Sequence, residues 1–404
     1  MKDQYDVLIV GGGMVGAALA CCLGKTPLKV AIFEKHQPKS FTSDQSHDLR
    51  VSALSIASKK ILESVGAWSG ITKRRFCPYS RMRVWEASGD TTFDSHEIQQ
   101  DALGYIVENR IIQLAFLDRL ADFDNVDLYC PSIINKMHYS ATESLITLED
   151  ERTISGRCIV GADGGQSQVR QVAGIGVNSC DYEQQAMVLS VETAYDQQDI
   201  TWQRFVPSGP QAFLPLDGPH ASLVWYHSAD EIRRLKMLDN GSLLTELLHT
   251  FPSALGEVSR ILGKASFPLK RLHALHYVKE GVALVGDSAH MVNPLAGQGV
   301  NIGLLDAAAL AQVLVDSHLH QQDIGSLTTL ERYEAMRRKD NQIMIATLEA
   351  FYRVFSNQII PLKMLRNVGL SLAEKVLPAK KMVMRHAMGL EGHLPKLARG
   401  ENLL

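Results

Sequence analysis

The chain has 404 residues, with 41 lysines and arginines against 44 aspartates and glutamates and a formal net charge of −3. Hydrophobic residues make up 46% and charged residues 21%, a globular composition that excludes a disordered, collagen-like or disulfide-stapled chain. The length predicts two or three domains of roughly 150 residues each. The near-neutral charge gives no indication of nucleic-acid binding. The six cysteines show no C-x-x-C spacing, so we expect neither a zinc site nor a disulfide framework, and the pattern fits a reducing cytoplasm.

The N-terminus opens with a β-α-β pattern. A buried strand is predicted at Asp6–Val10, a helix at Met14–Leu23 and a second strand at Lys29–Phe33. The uncharged run Val7–Gly24 resembles a signal peptide or a membrane span in hydrophobicity. Its N-terminal flank carries two acids, however, and the run contains five glycines. We therefore expect no targeting segment here.

The first motif, Gly11-x-Gly13-x-x-Gly16, lies between the first strand and the first helix, and Glu34 ends the second strand. The first glycine permits a tight turn, the second lets the backbone approach a pyrophosphate, and the third lets the helix pack closely on the strand. Amides at the helix start then face the phosphates, and a carboxylate at Glu34 suits a ribose 2′-hydroxyl. A chance glycine cluster is the alternative, but the surrounding elements favour dinucleotide binding. The motif does not separate NAD from FAD.

The rest of the chain combines patterns typical of strands with patterns typical of helices. From Asp181 to Leu269, alternating segments broken by proline and glycine are typical of antiparallel strands. The other predicted elements are a helix beginning within Leu49–Leu62, a helix at Asn109–Leu120, strands at Cys158–Ala162, Ala186–Thr193 and Ala221–Tyr226, a helix at about Leu243–Phe251, a strand at Val282–Val285, a helix at Val300–Ser317, and helical structure from Leu327 onward with breaks at Pro361, Pro378 and Pro395.

These elements predict an α/β fold. A Rossmann-like domain would comprise 1–180 and 270–355, and a second domain on an antiparallel sheet would comprise 181–269, with 76–103 as a candidate addition. Residues 356–404 would form a helical tail.

Two later motifs also follow predicted strands. In 161–170, Asp163-Gly164 ends a strand, and Ser167 is suited to cap a helix, so an ordinary turn and cap explain the segment if it stands alone.

In 286–301, Asp287 ends a strand and is placed to accept hydrogen bonds from a polyol. The glycines at 297 and 299 open a helix whose amides can approach a planar ligand. A glycine-rich loop before an ordinary helix is the alternative for the last motif.

In this order and spacing, the three motifs resemble the flavin-dependent aromatic hydroxylases of the para-hydroxybenzoate hydroxylase type. Other segments resemble the ubiquinone-biosynthesis branch of that family, and in particular its bacterial 3-demethoxyubiquinol 3-hydroxylases. The segments that carry the resemblance are 50–54, 108–110, 161–164, 167–170, 203–210, 212–216, 222–226, 293–301 and 366–370. The resemblance extends to about residue 390.

The resemblance implies FAD as the cofactor. The binding residues that it implies are Gly11, Gly13 and Gly16 at the pyrophosphate, Glu34 at the adenosine ribose, Arg50 and Arg110 as polar contacts, Asp163 in a second fingerprint beside the cofactor, Asp287 at the ribityl chain, Pro294 beside the flavin ring, and Gly297, Gly299 and Asn301 near the pyrimidine end of the flavin.

The family's chemistry is also implied by the resemblance. NAD(P)H would reduce FAD, O₂ would add to the reduced flavin as a C4a-hydroperoxide, and a polyprenylated benzoquinol ring would receive the oxygen. The cofactor carries this chemistry, so neither a protein nucleophile nor a metal is required. The absence of a second glycine fingerprint for NAD(P)H also fits the family. A sister hydroxylase acting at another ring position, an FAD-dependent prenyl reductase and a non-catalytic flavin-binding subunit remain alternatives.

No catalytic residue is assigned from the sequence. His290 is interpreted first as a structural loop histidine and second as a contact to substrate or flavin. Four residues on predicted strands either line a ring pocket or belong to the core, namely Phe213, Pro215, Trp225 and Tyr226.

The C-terminal segment 359–404 carries eight lysines and arginines against three acids. Leu365, Val368, Leu372 and Val376 share one helix face, followed by three methionines at 382, 384 and 388. Such a segment can lie on an anionic membrane, or it can pack on its own domain or a partner subunit, which is commoner. We expect a cytoplasmic protein, with contact to the inner face of the membrane or to a biosynthetic complex as a candidate role of this tail. A homo-oligomer or a complex subunit is the expected assembly.

Overall fold

A computed structural model describes most of the chain. The described residues are 4–86, 89–252, 258–293, 297–356, 380–382, 384–385, 388–390 and 392–404, with side chains described to residue 350 in the helix that ends at Ser356. Pro294 and the predicted apolar face at 365–376 lie outside the described residues.

The strands and helices have the following bounds. The strands are β1 (Gln4–Val10), β2 (Val30–Phe33), β3 (Val51–Leu54), β4 (Cys77–Tyr79), β5 (Arg81–Glu86), β6 (Gly89–Asp94), β7 (Gly104–Glu108), β8 (Val126–Tyr129), β9 (Ile134–His138), β10 (Ser144–Leu148), β11 (Thr153–Gly161), β12 (Val177–Thr193), β13 (Ile200–Val206), β14 (Gly209–Pro215), β15 (His220–Ser228), β16 (Val258–Ala274), β17 (Val278–Lys279), β18 (Val282–Leu284) and β19 (His290–Met291). The helices are α1 (Met14–Leu23), α2 (Ile56–Ser64), α3 (Trp68–Thr72), α4 (Asn109–Leu120), α5 (Gln168–Val172), α6 (Ala229–Met237), α7 (Asn240–Thr250), α8 (Gly299–Leu319), α9 (Leu327–Ser356) and α10 (Lys396–Arg399).

The first sheet is built on parallel strands in the order β18–β11–β1–β2–β8. β17 pairs antiparallel with β18, and β9 and β10 extend the sheet from β11. The β1 and β2 strands are almost continuously apolar because both faces of the sheet are covered, and Val7, Leu8 and Ile9 are fully buried. The carboxyl ends of β1, β11 and β18 meet at one edge, where all three motifs begin.

The second sheet has the order β19–β16–β12–β15–β14–β13–β5–β6 and is antiparallel except for the β13–β5 pair. One face carries a buried aromatic and aliphatic core, including Trp202, Phe213 and Trp225, against which α6 and α7 pack. Apart from β19, its strands come from the predicted range 181–269 and from 76–103, although β12 begins at Val177 and β16 ends at Ala274. The predicted α/β fold, with a parallel sheet and a second, mostly antiparallel sheet, is confirmed.

The prediction that Leu49–Leu62 forms the start of a helix is confirmed from Ile56 onward and was wrong for the residues before it. Val51–Leu54 is strand β3, paired antiparallel with β7 in a three-stranded sheet β3–β7–β4. The helix starts only at Ile56, after Ser55 caps it by accepting a hydrogen bond from the Ser58 amide at 3.2 Å. Pairing with a strand distant in sequence decides the conformation here, and local composition does not report it.

Helix α8 runs through the interior and packs on α1 and α9. It is the one helix of the described residues that is long and apolar enough to cross a membrane, with 78% of its most apolar window buried inside the protein. Burial explains its apolar sequence without a membrane.

The described part of the tail packs on the first domain. Met384 and Met388 are buried in its core, and the Ala57 amide donates to the Met388 carbonyl at 3.2 Å. Met382 is exposed. The prediction of helix throughout the tail was wrong for 388–390 and 392–394, which form turns and loops, and for 400–404 after α10, whereas the predicted break at Pro395 is confirmed. Glycines at 389 and 392 adopt positive φ there, a conformation that does not continue a helix.

Candidate active site

The three motif turns are hydrogen-bonded to one another at the edge of the first sheet. The Ala162 amide donates to the Val10 carbonyl at 2.8 Å, and the Val285 amide donates to the Gly161 carbonyl at 3.0 Å. The Ser288 hydroxyl also donates to the Gly161 carbonyl, at 2.5 Å. Segments separated by more than 100 residues in sequence therefore form one continuous surface.

The glycines of the first motif differ in what surrounds them. A Cβ on Gly11 would lie 2.5 Å from the Ala162 carbonyl oxygen, and the φ of Gly11 is +103°. A Cβ on Gly16 would overlap the Gly11 carbonyl oxygen. At Gly13 the same Cβ would meet no atom within 4 Å, so the start of α1 faces open space. Gly11 and Gly16 are required by packing, and Gly13 leaves room for a ligand at the helix N-terminus.

Glu34 follows β2 and turns back to the first motif. Its Oε2 accepts a hydrogen bond from the Gly12 amide at 2.8 Å, and its Oε1 accepts one from the His36 amide at 2.9 Å. The carboxylate is half-buried and retains lone pairs that a ribose hydroxyl can use. The structure therefore brings Glu34 to the glycine turn.

The second motif forms a capped turn. Asp163 Oδ2 accepts from the Gln168 and Val169 amides at 2.7 and 3.1 Å, and Ser167 caps α5 by accepting from the Arg170 amide at 3.0 Å. The Ser167 cap was predicted. Asp163 Oδ1 is buried, with no hydrogen-bond partner among the described residues.

Arg170 ties the second motif to the third. Its guanidinium donates to the Ser288 carbonyl at 2.8 Å and to the Gly165 carbonyl at 2.7 Å. Burial lowers the pKa of this guanidinium, against the opposing charge of Asp163. Arg170 was not predicted as a site residue. Its position on a short helix, three residues after the Ser167 cap, was a signal that could have identified it.

Asp287 lies at the turn after β18, opposite Arg50. Its side chain is exposed, yet the surrounding protein raises the pKa of the carboxyl by desolvation, while the charges of His290 and Arg50 act in the opposite direction. An accessible carboxyl at this turn can accept hydrogen bonds from a ligand. Arg50 is exposed and within electrostatic reach of Asp287.

The start of α8 is attached to β3 and α2. Asn301 is buried, accepts from the Ser55 amide and the Ser58 hydroxyl at 2.9 and 2.7 Å, and donates to the Ala53 carbonyl at 2.8 Å. Gly297 has a φ of +61°, and a Cβ there would lie 3.3 Å from the Ala53 amide nitrogen. Gly299 begins the helix in nearly open space, because a Cβ added there would meet only Val292 Cγ2, at 3.8 Å. Asn301 therefore holds the helix start in place.

Arg110 is engaged by the protein itself. Its guanidinium forms two hydrogen bonds with the Asp48 carboxylate at 2.8 and 2.9 Å and donates to the Lys39 and Ser40 carbonyls. These contacts fix the loop that leads to Arg50. Gln113, three residues further along α4, donates to the Gly12 carbonyl at 2.8 Å, so this helix contacts the first motif, and a contact of Arg110 to the cofactor stays a prediction.

The candidate ring-lining residues divide between two faces of the second sheet. Phe213 and Trp225 belong to the core under α6 and α7. Tyr226 lies on the opposite face and donates to Asn293 Oδ1 at 3.3 Å. That face is turned towards the third motif.

The site fits an FAD. Open space at Gly13 lies before a helix N-terminus, where amides bind phosphate, and an accessible carboxylate at Asp287 can accept hydrogen bonds from the ribityl hydroxyls. Glu34 stands at the end of β2, where a ribose would lie.

The family model for the FAD binding domain matches residues 134–346. The 3-demethoxyubiquinol 3-hydroxylase of Escherichia coli K12 is 42% identical over 390 residues, covering 96% of this chain and 100% of that relative. The ubiquinone hydroxylase UbiL of Rhodospirillum rubrum is 37% identical, covering 98% and 92% of the two chains. The chain belongs to the FAD-dependent ubiquinone hydroxylases. The predicted family resemblance and the predicted class of enzyme, an FAD-dependent aromatic monooxygenase, are thus confirmed.

The fold of this hydroxylase matches that of p-nitrophenol 4-monooxygenase PnpA from Pseudomonas putida. The TM-score is 0.80 at 18% identity, covering 96% of this chain and 99% of PnpA. This likeness shows the fold and says nothing about the substrate.

Replacing Glu34 of this hydroxylase with alanine is expected to weaken FAD binding about tenfold. The ribose hydroxyl would lose a charged acceptor at Glu34, and such a hydrogen bond is worth about 1.5–3 kcal/mol, or at least about tenfold in affinity. Titrating the purified chain with FAD and following flavin fluorescence gives the dissociation constant. Glu63→Ala is the matched control, because Glu63 is exposed on α2 and pairs only with Lys59 among the contacts described. An FAD affinity equal to that of the parent would remove Glu34 from the cofactor site.

Proposed function

We propose that this enzyme hydroxylates the ring of a polyprenylated benzoquinol in ubiquinone biosynthesis, with 3-demethoxyubiquinol as the substrate. NAD(P)H is the reductant and O₂ the co-substrate. The proposal is carried by one observation, the 42% identity that extends over the full length of the E. coli 3-demethoxyubiquinol 3-hydroxylase. Identity at that level over the whole chain covers both the cofactor site and the second sheet.

The proposed ring site is the face of the second sheet that carries Tyr226. Ala212, Leu214 and Val224 lie on this face and are half-buried, which suits a flat and largely apolar ring. Leu214 packs against the small apolar cluster that contains Ala53, the residue against which Gly297 lies, so this face adjoins the start of α8. Tyr226 and Asn293 connect its other side to the third motif.

Each group of residues has a proposed task. The first motif and Glu34 hold the adenosine diphosphate part of FAD, and Asp287, with Arg50 opposite, holds the ribityl part. Gly297 and Gly299 admit the pyrimidine end, and the apolar sheet face orients the substrate ring and excludes water. Bound FAD supplies the oxygen-transfer chemistry. Pro294 is retained as a proposed contact to the flavin ring.

Membrane contact, complex formation and a cytoplasmic location remain predictions. The substrate's prenyl chain is strongly apolar, so the ring has to be drawn from a lipid phase or handed over by a partner. The basic composition of 359–404 supports an approach to anionic lipid. Within the described tail, Lys380 is buried and pairs with Glu97 at 2.9 Å, so this cation is committed to the protein.

Oxygen uptake tests the proposed reaction. The FAD-loaded enzyme, given NAD(P)H and a short-chain 3-demethoxyubiquinol, is expected to consume one O₂ and one NAD(P)H per hydroxyl group formed, with water as the second product. The control is a ubiquinol that already carries the ring oxygen, which should not be hydroxylated. Hydroxylation of another precursor alone would transfer the assignment to a sister hydroxylase. Saturation of the prenyl chain without oxygen uptake would refute the oxygenase assignment.

A further inference from the structure

A buried carboxylate supports the third motif from inside the protein. Asp306 on α8 is fully buried. Its Oδ2 accepts a hydrogen bond from the Gly286 amide at 3.2 Å and lies 2.5 Å from His290 Nε2. Its Oδ1 accepts from Arg337 Nε at 2.9 Å and from Asn341 Nδ2 at 3.0 Å. Four donors thus surround one carboxylate directly beneath the turn that carries Asp287.

This carboxylate is ionised. Burial alone would raise the pKa of Asp306, but His290, Arg337 and the Asn341 amide outweigh it and bring the pKa to about 2. A buried charge is tolerated when every lone pair is satisfied by a donor, as here. The Gly286 amide is therefore bound by a charged acceptor, which is stronger than a neutral one.

The turn above Asp306 has little freedom of its own. Gly286 adopts a φ of +60°, and a Cβ there would press on the Val15 side chain at 3.1 Å. On the far side of the turn, the Ser288 hydroxyl donates to the Gly161 carbonyl and the Ser288 carbonyl accepts from Arg170. Asp306 thus fixes the residue before Asp287, and Arg170 fixes the residue after it.

His290 is the second connection to Asp306. It is buried, and its charge acts on Asp287 as well as on Asp306. The interpretation of His290 as a structural residue fits these contacts, and they give it a specific partner. The pair Asp306–His290 therefore touches the Asp287 turn at both of its ends, through Gly286 and through the start of β19.

We propose that Asp306 is a positioning residue for FAD. It holds the Gly286–Asp287–Ser288 turn so that the Asp287 carboxylate faces the cofactor, and it sets FAD affinity without touching the cofactor. The inference rests on the proposed role of Asp287. A residue that served only the core would change FAD affinity by the same factor whether or not Asp287 is present.

The test compares Asp306→Asn with Tyr333→Phe in the full-length chain. Tyr333 is equally buried and donates to the Leu284 carbonyl at 2.8 Å, so it serves the neighbouring strand and not the turn itself. Titration with FAD is expected to show a 10- to 100-fold rise in the dissociation constant for Asp306→Asn, the usual range for a supporting residue. For Tyr333→Phe a change of about twofold or less is expected. Equal losses of affinity in the two variants would overturn the proposal.

A double-mutant cycle with Asp287→Ala separates positioning from a structural role. If Asp306 acts through Asp287, the double variant loses no more FAD affinity than Asp287→Ala alone, whereas independent effects multiply. Multiplied losses would overturn the proposal, and unchanged FAD binding in Asp287→Ala would instead remove the role of Asp287 itself. If Asp306→Asn does not fold, His290→Gln takes its place, because it disturbs the same carboxylate from the other end of the turn. A parental FAD affinity in that variant would equally count against the inference.

Discussion

Gly13→Ala is expected to weaken FAD binding about 100-fold while leaving the free chain as stable as the parent. Gly13 has φ −68° and ψ −174°, which alanine adopts without strain, and its Cβ would meet no protein atom within 4 Å. The methyl group would instead occupy the space before α1 that the pyrophosphate requires. We expect the dissociation constant of FAD to rise about 100-fold, equivalent to about 3 kcal/mol. Fluorescence titration with FAD and urea unfolding of the free chain measure the two quantities.

Gly16→Ala is the contrasting variant. Its Cβ would overlap the Gly11 carbonyl oxygen, and a backbone atom cannot move aside as a flexible side chain does. We expect a loss of at least about 3 kcal/mol in the free energy of unfolding, at the upper end for overpacking. If Gly13→Ala destabilised the free chain as much as Gly16→Ala, the open space at Gly13 would not exist as described. If Gly13→Ala bound FAD normally, the pyrophosphate would lie elsewhere.

Asp287→Ala is expected to give a folded but colourless protein. The ribityl hydroxyls lose a charged acceptor, and two hydrogen bonds to a charged group are together worth about 3–6 kcal/mol, or at least about 100-fold in affinity. Because desolvation raises the pKa of Asp287, removal of its charge is expected to leave the stability of the free chain unchanged or slightly higher. Absorbance of bound flavin after purification and urea unfolding of the free chain provide the readouts.

Asp230→Ala serves as the control for Asp287→Ala. Asp230 is exposed at the start of α6 and pairs with Arg233 at 2.9 Å, so the same change of charge occurs away from the cofactor site. We expect that variant to retain its flavin. A yellow and fully active Asp287→Ala would contradict the placement of the ribityl chain.

The sequence was most informative where local pattern and packing agree. The bounds of α1 and α4 were predicted to the residue, since glycines or strand ends border both helices and apolar residues recur along one face of α4. The failure at Val51–Leu54 has the opposite cause. That segment is a strand only because β7, more than 50 residues away, offers it a pairing edge. No residue within the segment reports that edge.

The site shows the same limit. The alternating pattern along β14 and β15 predicted strands but did not show which face of the sheet is turned towards the cofactor. Only the packing of the sheet assigns Trp225 to the core face and Tyr226 to the opposite face. Asp306 gave no local signal at all. It is one of two acids in a largely apolar helix, the other being the half-buried Asp316, and its partners Arg337 and Asn341 come from α9.

The order of the strands in the first sheet has a consequence for biosynthesis. β18 joins the sheet beside β11, although some 120 residues that build most of the second sheet are translated between them. The third motif therefore leaves the ribosome long after the glycine turn has formed. If the third motif holds the flavin as proposed, a nascent chain acquires its cofactor only after β18 and the first turn of α8 have been made. On that assignment we expect cofactor loading to come late in maturation, so translation products that end before β18 should lack bound flavin.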